Sequence, residues 1–164
     1  TESSEETTDK EEANADEADS DEEEAAESEA DEAELEAAIE VENDLRSEIV
    51  TYALQFVGNR YKYGGTNPNT GVDCSGFTSY VMRHAAEVEL PHSSGGQSRM
   101  GRQVSSSEMR PGDIICYGSG KRINHVALYI GNGQIVHAST ERTGIKVSRW
   151  NYRTPVRIVN VLGD

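Results

Sequence analysis

Every glycine, proline and aromatic residue of this 164-residue chain lies beyond Val50, which confines a packed core to the last two thirds. Residues 1–48 carry 23 acidic and two basic side chains, Lys10 and Arg46, for a net charge of −21. Residues 49–164 carry 7 acidic and 13 basic side chains, a net of +6, and the two parts sum to the formal −15. An acidic run without aromatics or turn formers buries too little apolar surface to offset the entropy of ordering it. The chain therefore divides into an acidic low-complexity linker or tail at 1–43, expected to be largely disordered, and a globular unit at 44–164. Like charges three and four residues apart oppose helix formation in the tail. The remaining length suits one domain with one core.

Within that unit the hydrophobic period changes once. Leu45, Ile49, Ala53 and Phe56 recur at helical spacing with Gly58 just beyond, predicting a helix over about Asp44–Val57. Tyr61–Gly71 reads as loop. Asp73 is a candidate N-cap for a helix over Cys74–Ala86, with Phe77, Tyr80, Val81 and His84 on its buried face. Leu90–Ser107 is polar and irregular, with room for a short helix around Gln97. Five β-rich runs follow: Asp113–Tyr117, Asn124–Ile130, Gln134–Ala138, Ile145–Arg149 and Val156–Leu162. Helices first and strands afterwards predict an α+β domain with an antiparallel sheet.

Asp73-Cys74-Ser75-Gly76, with Asn124-His125-Val126 and Val136-His137-Ala138 downstream, brings together the parts of an activated thiol. A helix N-terminus favours a thiolate, one imidazole can take its proton, and a third group can hold that imidazole. This requires both histidines on one sheet face. With Gly131-Asn132-Gly133 as a three-residue loop, Ala127 falls opposite His137, and His125 lies diagonally on the same face, ~7–8 Å away. A loop of Asn132-Gly133 alone would put the histidines on opposite faces, so the chemistry demands the longer loop or an equivalent bulge. The two cysteines can pair in principle. Cys116, in an apolar run, reads as a buried strand residue, leaving two separate free thiols. His84 reads as a partly buried packing residue, and His92 as surface loop near a cleft. The spacings fit neither a zinc site nor a phosphate-binding glycine loop, and no apolar run is long enough to span a bilayer.

The blocks Tyr61-Lys62-Tyr63-Gly64-Gly65, Asp73-Cys74-Ser75-Gly76-Phe77, Arg110-Pro111-Gly112-Asp113-Ile114, Asn124 to Gly131 and Val136-His137-Ala138-Ser139 follow one another in an order that resembles the NlpC/p60 cell-wall peptidases. The resemblance runs from about Ile49 to Gly163. Trp150-Asn151-Tyr152-Arg153 is similar to versions from clostridium-like bacteria. The resemblance implies a papain-like fold and hydrolysis of peptidoglycan stem peptides between D-γ-glutamyl and diaminopimelate or lysine. It implies Cys74 as nucleophile, His125 as base and acid, and His137 as the residue orienting His125. Tyr63, Asp73 and Ser75 would face substrate. No metal or cofactor is needed, and the partner would be the stem peptide rather than a nucleic acid. A monomer at the cell wall is expected, processed from a longer protein with upstream wall-binding or coiled-coil modules. Arg60 stands where the family commonly has proline, and His92 where arginine often follows Leu-Pro. An N-acetylmuramoyl-L-alanine amidase, a transpeptidase with the same triad, and an inactive wall-binding module are the alternatives.

Overall fold

The computed structural model describes residues 29–164, so the disorder expected of the acidic tail falls, for residues 1–28, outside the described residues. Helix α1 spans Glu29–Leu54, starting fifteen residues before the expected Asp44. The stretch added is rich in Ala and Glu and free of glycine and proline. Propagating an existing helix costs far less than nucleating one, so these propensities outweigh the repulsion between like charges. Its first turns are exposed, with Leu35 60 % and Val41 67 % accessible. From Glu42 it belongs to the compact unit Glu42–Asp164.

There Ile49 and Ala53 are fully buried, and Phe56 nearly so, beside Phe77, Val81 and Met82. Gly58, at φ +96°, ends the run as expected. Arg46 is only 2 % exposed, which the periodicity did not signal. It pairs with Asp113 at 3.1 Å and with Asp164, and donates to the Pro111 carbonyl at 2.8 Å.

The loop beyond is pinned by a small pairing of β1 (Thr66–Asn67) with β2 (Gly71–Val72). Helix α2 then spans Cys74–Ala86, the predicted bounds. Its inner face differs from expectation: Thr78 and Met82 are buried with Phe77 and Val81, while His84 is exposed. His84 stacks on Tyr80 with ring centroids 4.0 Å apart and contacts the Tyr80 carbonyl. A polar ring at the helix end keeps its hydration there, and the thioether takes the core position. The short helix α3 (Ser94–Gln97) carries a buried Gln97.

A six-stranded antiparallel sheet completes the unit. Its order is β3 (Arg102–Gln103), β8 (Pro155–Asn160), β4 (Ile114–Ser119), β5 (Arg122–Gly131), β6 (Gln134–Thr140), β7 (Gly144–Arg149). All five predicted strands are present within a residue or two; β1 to β3, two residues each, are too short to leave a period. The β4–β8 pairing places Ile115 opposite Ile158 on one face, while the alternating Ile114, Cys116 and Val159 pack on the other, so both sheet faces carry apolar side chains. The architecture is the α+β fold expected, with helices packed against an antiparallel sheet.

The β5–β6 register settles the hairpin. Leu128 pairs with Val136 and Tyr129 with Ile135, yet Gly131 pairs with Gln134, so Ile130 is an extra residue. The loop is the two-residue Asn132-Gly133, with φ of 56° and 75°, as a primed hairpin turn requires. The bulge restores the register of the three-residue loop. One residue further on, Ala127 falls opposite His137, and His125 shares its face.

Candidate active site

Cys74 opens α2. Asp73 caps the helix: its carboxylate accepts from the backbone of Gly76 at 2.8 Å and of Gly64 at 3.1 Å, and His92 Nε2 approaches it at 2.9 Å. Those bonds tie the glycine loop, the helix start and the His92 loop to one side chain. A Cβ at Gly76 would collide with the Gly65 carbonyl, so the tight approach depends on glycine. The Cys74 sulfur is half-buried and receives the Val126 N–H along with N–H groups of the helix start. Burial raises its pKa, and the Asp73 charge adds to that, against those N–H groups. The thiol is therefore protonated at neutral pH.

Two buried histidines form a pair of their own in the same unit. His125, 9 % exposed, and His137, 1 % exposed, meet through His125 Nε2 and His137 Nδ1 at 2.8 Å. His137 Nε2 lies 3.0 Å from Ser148 Oγ, on the next strand. Burial lowers His125 to about 4, assisted by the positive charge of Arg153. It lowers His137 to about 3, with His125 and Lys146 adding to the effect. Both rings are neutral above pH 5. Val126, whose N–H is directed at the Cys74 sulfur, follows His125 directly in the chain.

Four features escaped the sequence. Ser148 lies on β7, and its relation to His137 follows from the β6–β7 pairing of Ile135 with Ser148 and His137 with Lys146. Tyr117 donates to the Trp150 carbonyl at 2.7 Å and lies beside His125. Tyr152 packs 5.3 Å from His137, and Arg153 covers Tyr117 while donating to Asn124 at 3.0 Å. The Trp150–Arg153 stretch thus roofs the histidine pair. Gln97, fully buried, donates to the Ser75 and Pro91 carbonyls at 3.0 and 2.8 Å and meets the Thr78 hydroxyl, fastening α3 to the start of α2.

Of the residues expected to face substrate, Tyr63 is 83 % exposed and Asp73 partly so. Ser75 departs from expectation: it is 5 % exposed, on the helix side that packs against Gln97. Burial raises the pKa of Tyr61, with the neighbouring Cys74 and Asp73 adding to the shift, and Cys74 also adds to the burial that raises Tyr152. Cys116 is fully buried, and burial pushes it to about 12. Both cysteines are free, and among the described residues no cluster of His, Cys, Asp or Glu could hold a metal. Among them, too, no helix is long and apolar enough to cross a membrane.

Residues 58–158 match the model of the NlpC/P60 family. An Escherichia coli K12 protein named murein DD-endopeptidase MepS/murein LD-carboxypeptidase is 41 % identical over 108 residues, 66 % of this chain and 56 % of that protein. The probable endopeptidase p60 of Listeria seeligeri is 42 % identical over 98 residues, 60 % of this chain and 18 % of that one. The chain thus spans about half the length, or less, of these relatives. Among solved structures, the NlpC/p60 domain of the peptidoglycan hydrolase SagA superposes with a TM-score of 0.65 at 32 % identity, covering 70 % of this chain and 97 % of that domain. The peptidoglycan hydrolase RipB of Mycobacterium tuberculosis gives 0.66 at 28 % identity, covering 74 % and 67 %. With the family model covering more than half of its length, this chain belongs to the NlpC/P60 family.

Proposed function

We propose that this protein is a cysteine endopeptidase that cleaves peptidoglycan stem peptides through an acyl-enzyme, at the cell wall. The observation that carries this reading is the relay of two neutral, buried histidines at 2.8 Å beside a half-buried thiol at a helix start. With Nε2 of His125 engaged by His137, its Nδ1 is the ring nitrogen left for the thiol. The tautomer that serves has His125 Nε2–H donating to His137 and His137 Nε2–H donating to Ser148, leaving His125 Nδ1 unprotonated.

Nδ1 takes the thiol proton as sulfur attacks the scissile carbonyl, and the C–S bond forms. N–H groups at the start of α2 stabilise the oxyanion. The imidazolium returns its proton to the departing amine as the C–N bond breaks. Water, deprotonated by the same nitrogen, then hydrolyses the thioester and restores the thiol. A raised thiol beside a lowered histidine makes this general-base catalysis rather than a preformed ion pair. Tyr63 and Asp73 line the approach to the sulfur.

The scissile bond we assign is D-γ-glutamyl to diaminopimelate or lysine. A second reading, cleavage at a D–D or L–D bond, is favoured by the name of the Escherichia coli relative. Mass spectrometry of muropeptides released by the parent and by Cys74→Ala decides both points. The parent should release fragments ending in γ-D-glutamate, and Cys74→Ala none. Fragments shortened only at D-alanine would replace the first reading with the second, and release by Cys74→Ala would end the thiol mechanism.

A further inference from the structure

Between the end of α3, the β4–β5 turn and β8 lies an open groove of about 610 Å³ with no acidic residue in its lining. Ser98 and Arg99 at the end of α3, Lys121, Arg122 and Ile123 at the β4–β5 turn, and Arg157 of β8 form much of its wall. Two links connect the groove to the surroundings of Cys74. Ile123 packs on the same apolar cluster as Cys74 and precedes His125 by two residues. The loop that carries α3 also holds His92, which contacts the Asp73 cap at 2.9 Å.

The charge in the groove is uncompensated. Arg157 is fixed by neutral acceptors, the Ser98 carbonyl at 2.8 Å and the Gln103 side-chain oxygen at 2.9 Å. Neither bond neutralises it, and the guanidinium keeps donors for another partner. Arg99, Lys121 and Arg122 are exposed, and among the described residues none of the four is in an ion pair. Four of the unit's cations thus share one concave surface with nothing of opposite sign. Like charges so grouped repel, and an anionic ligand relieves the repulsion while guanidinium groups recognise carboxylates through paired hydrogen bonds.

We propose that this groove is a substrate subsite that binds the free carboxylates flanking the scissile bond of the stem peptide, so that the protein selects stems with free over amidated carboxyls. This rests on the hydrolase reading above for the ligand's identity, but not for its charge.

The test measures binding by calorimetry to full-length Cys74→Ala, which cannot consume its ligand. The probes are the tetrapeptide L-alanyl-γ-D-glutamyl-diaminopimelyl-D-alanine and the same peptide with its glutamate and diaminopimelate carboxyls as carboxamides. The free-carboxylate peptide should bind roughly tenfold more tightly at low salt, a difference of about 1.4 kcal/mol. The gap should narrow at 0.5 M salt, where exposed charges are screened. Adding Arg99→Gln, Lys121→Gln and Arg122→Gln should remove the difference, whereas Arg142→Gln with Arg149→Gln, exposed cations outside the groove, should preserve it. Lys121→Gln with Arg122→Gln alone, confined to an exposed turn, should narrow the gap even if the triple variant folds poorly. Equal affinity for the two peptides, or equal losses from the groove and control variants, would overturn the proposal. So would a groove that binds a glycerol-phosphate oligomer while treating the peptides alike. If the parent cleaves neither peptide while Cys74→Ala still prefers the free one, the hydrolase reading fails and the subsite stands.

Discussion

Acid should destabilise this fold through two buried histidines, His125 and His137, by an amount that can be worked out in advance. The perturbation is a shift from pH 8 to pH 5. In the unfolded chain each imidazole has its ordinary value near 6.5, so both are almost fully protonated at pH 5. In the folded protein burial holds His125 at about 4 and His137 at about 3, so both stay neutral. These are lowered values, so their stabilisation is present above the unfolded pKa and is lost as pH falls through 6.5 toward the folded values. By linkage each ring costs about 2 kcal/mol at pH 5 relative to pH 8, about 4 kcal/mol for the pair. The figure depends only on both folded values lying well below 5. Asp164, which its hydrogen bond to Arg46 holds far below the usual carboxylate range, loses its contribution only in stronger acid. For a unit of this size the melting temperature should drop by roughly 10–20 °C. The assay is urea or thermal unfolding of the parent and of His125→Gln/His137→Gln at both pH values. The difference between the two pH responses isolates the pair. Parallel responses, or a parent more stable at pH 5, would refute the assignment of two buried neutral imidazoles.

The same neutrality sets the chemistry, and kcat/KM for stem peptide should stay on its plateau down to about pH 5 because the base is already unprotonated. A limb centred on the ordinary histidine value would contradict the lowered His125. Arg46→Ala strands the buried Asp113 and weakens the hold on Asp164, and breaking such a buried pair should cost about 3–5 kcal/mol in chemical denaturation; a loss under 1 kcal/mol would mean solvent reaches Asp113. Gly76→Ala should impair both stability and turnover, since its Cβ would push the Gly65 carbonyl off the helix start; a variant as stable and as active as the parent would rule out that close approach. Under native alkylation Cys74 should react and Cys116, fully buried, should not; rapid double labelling detected by mass would refute the burial of Cys116.

Local chemistry alone placed much of the site. Asp73 beside Cys74 marked a capped helix start, because capping depends on one or two neighbouring residues. The strands were legible because apolar alternation is a local consequence of one face being buried. The first helix was misjudged at its start, since pairwise charge repulsion was weighed without the packed turns that nucleate it. Which face His125 and His137 share was left open by the sequence and fixed by the Ile130 bulge, one extra residue that reverses the alternation. Ser148, Gln97, Arg46 and the Trp150–Arg153 roof were invisible for a common reason. Each acts on a partner at least eleven residues away in sequence, across strands or helices whose adjacency exists only once the sheet has assembled. The sequence determined which groups could do the chemistry, since reactivity belongs to the side chain. The tertiary structure decided their protonation and their partners, because burial and contact are properties of the folded whole.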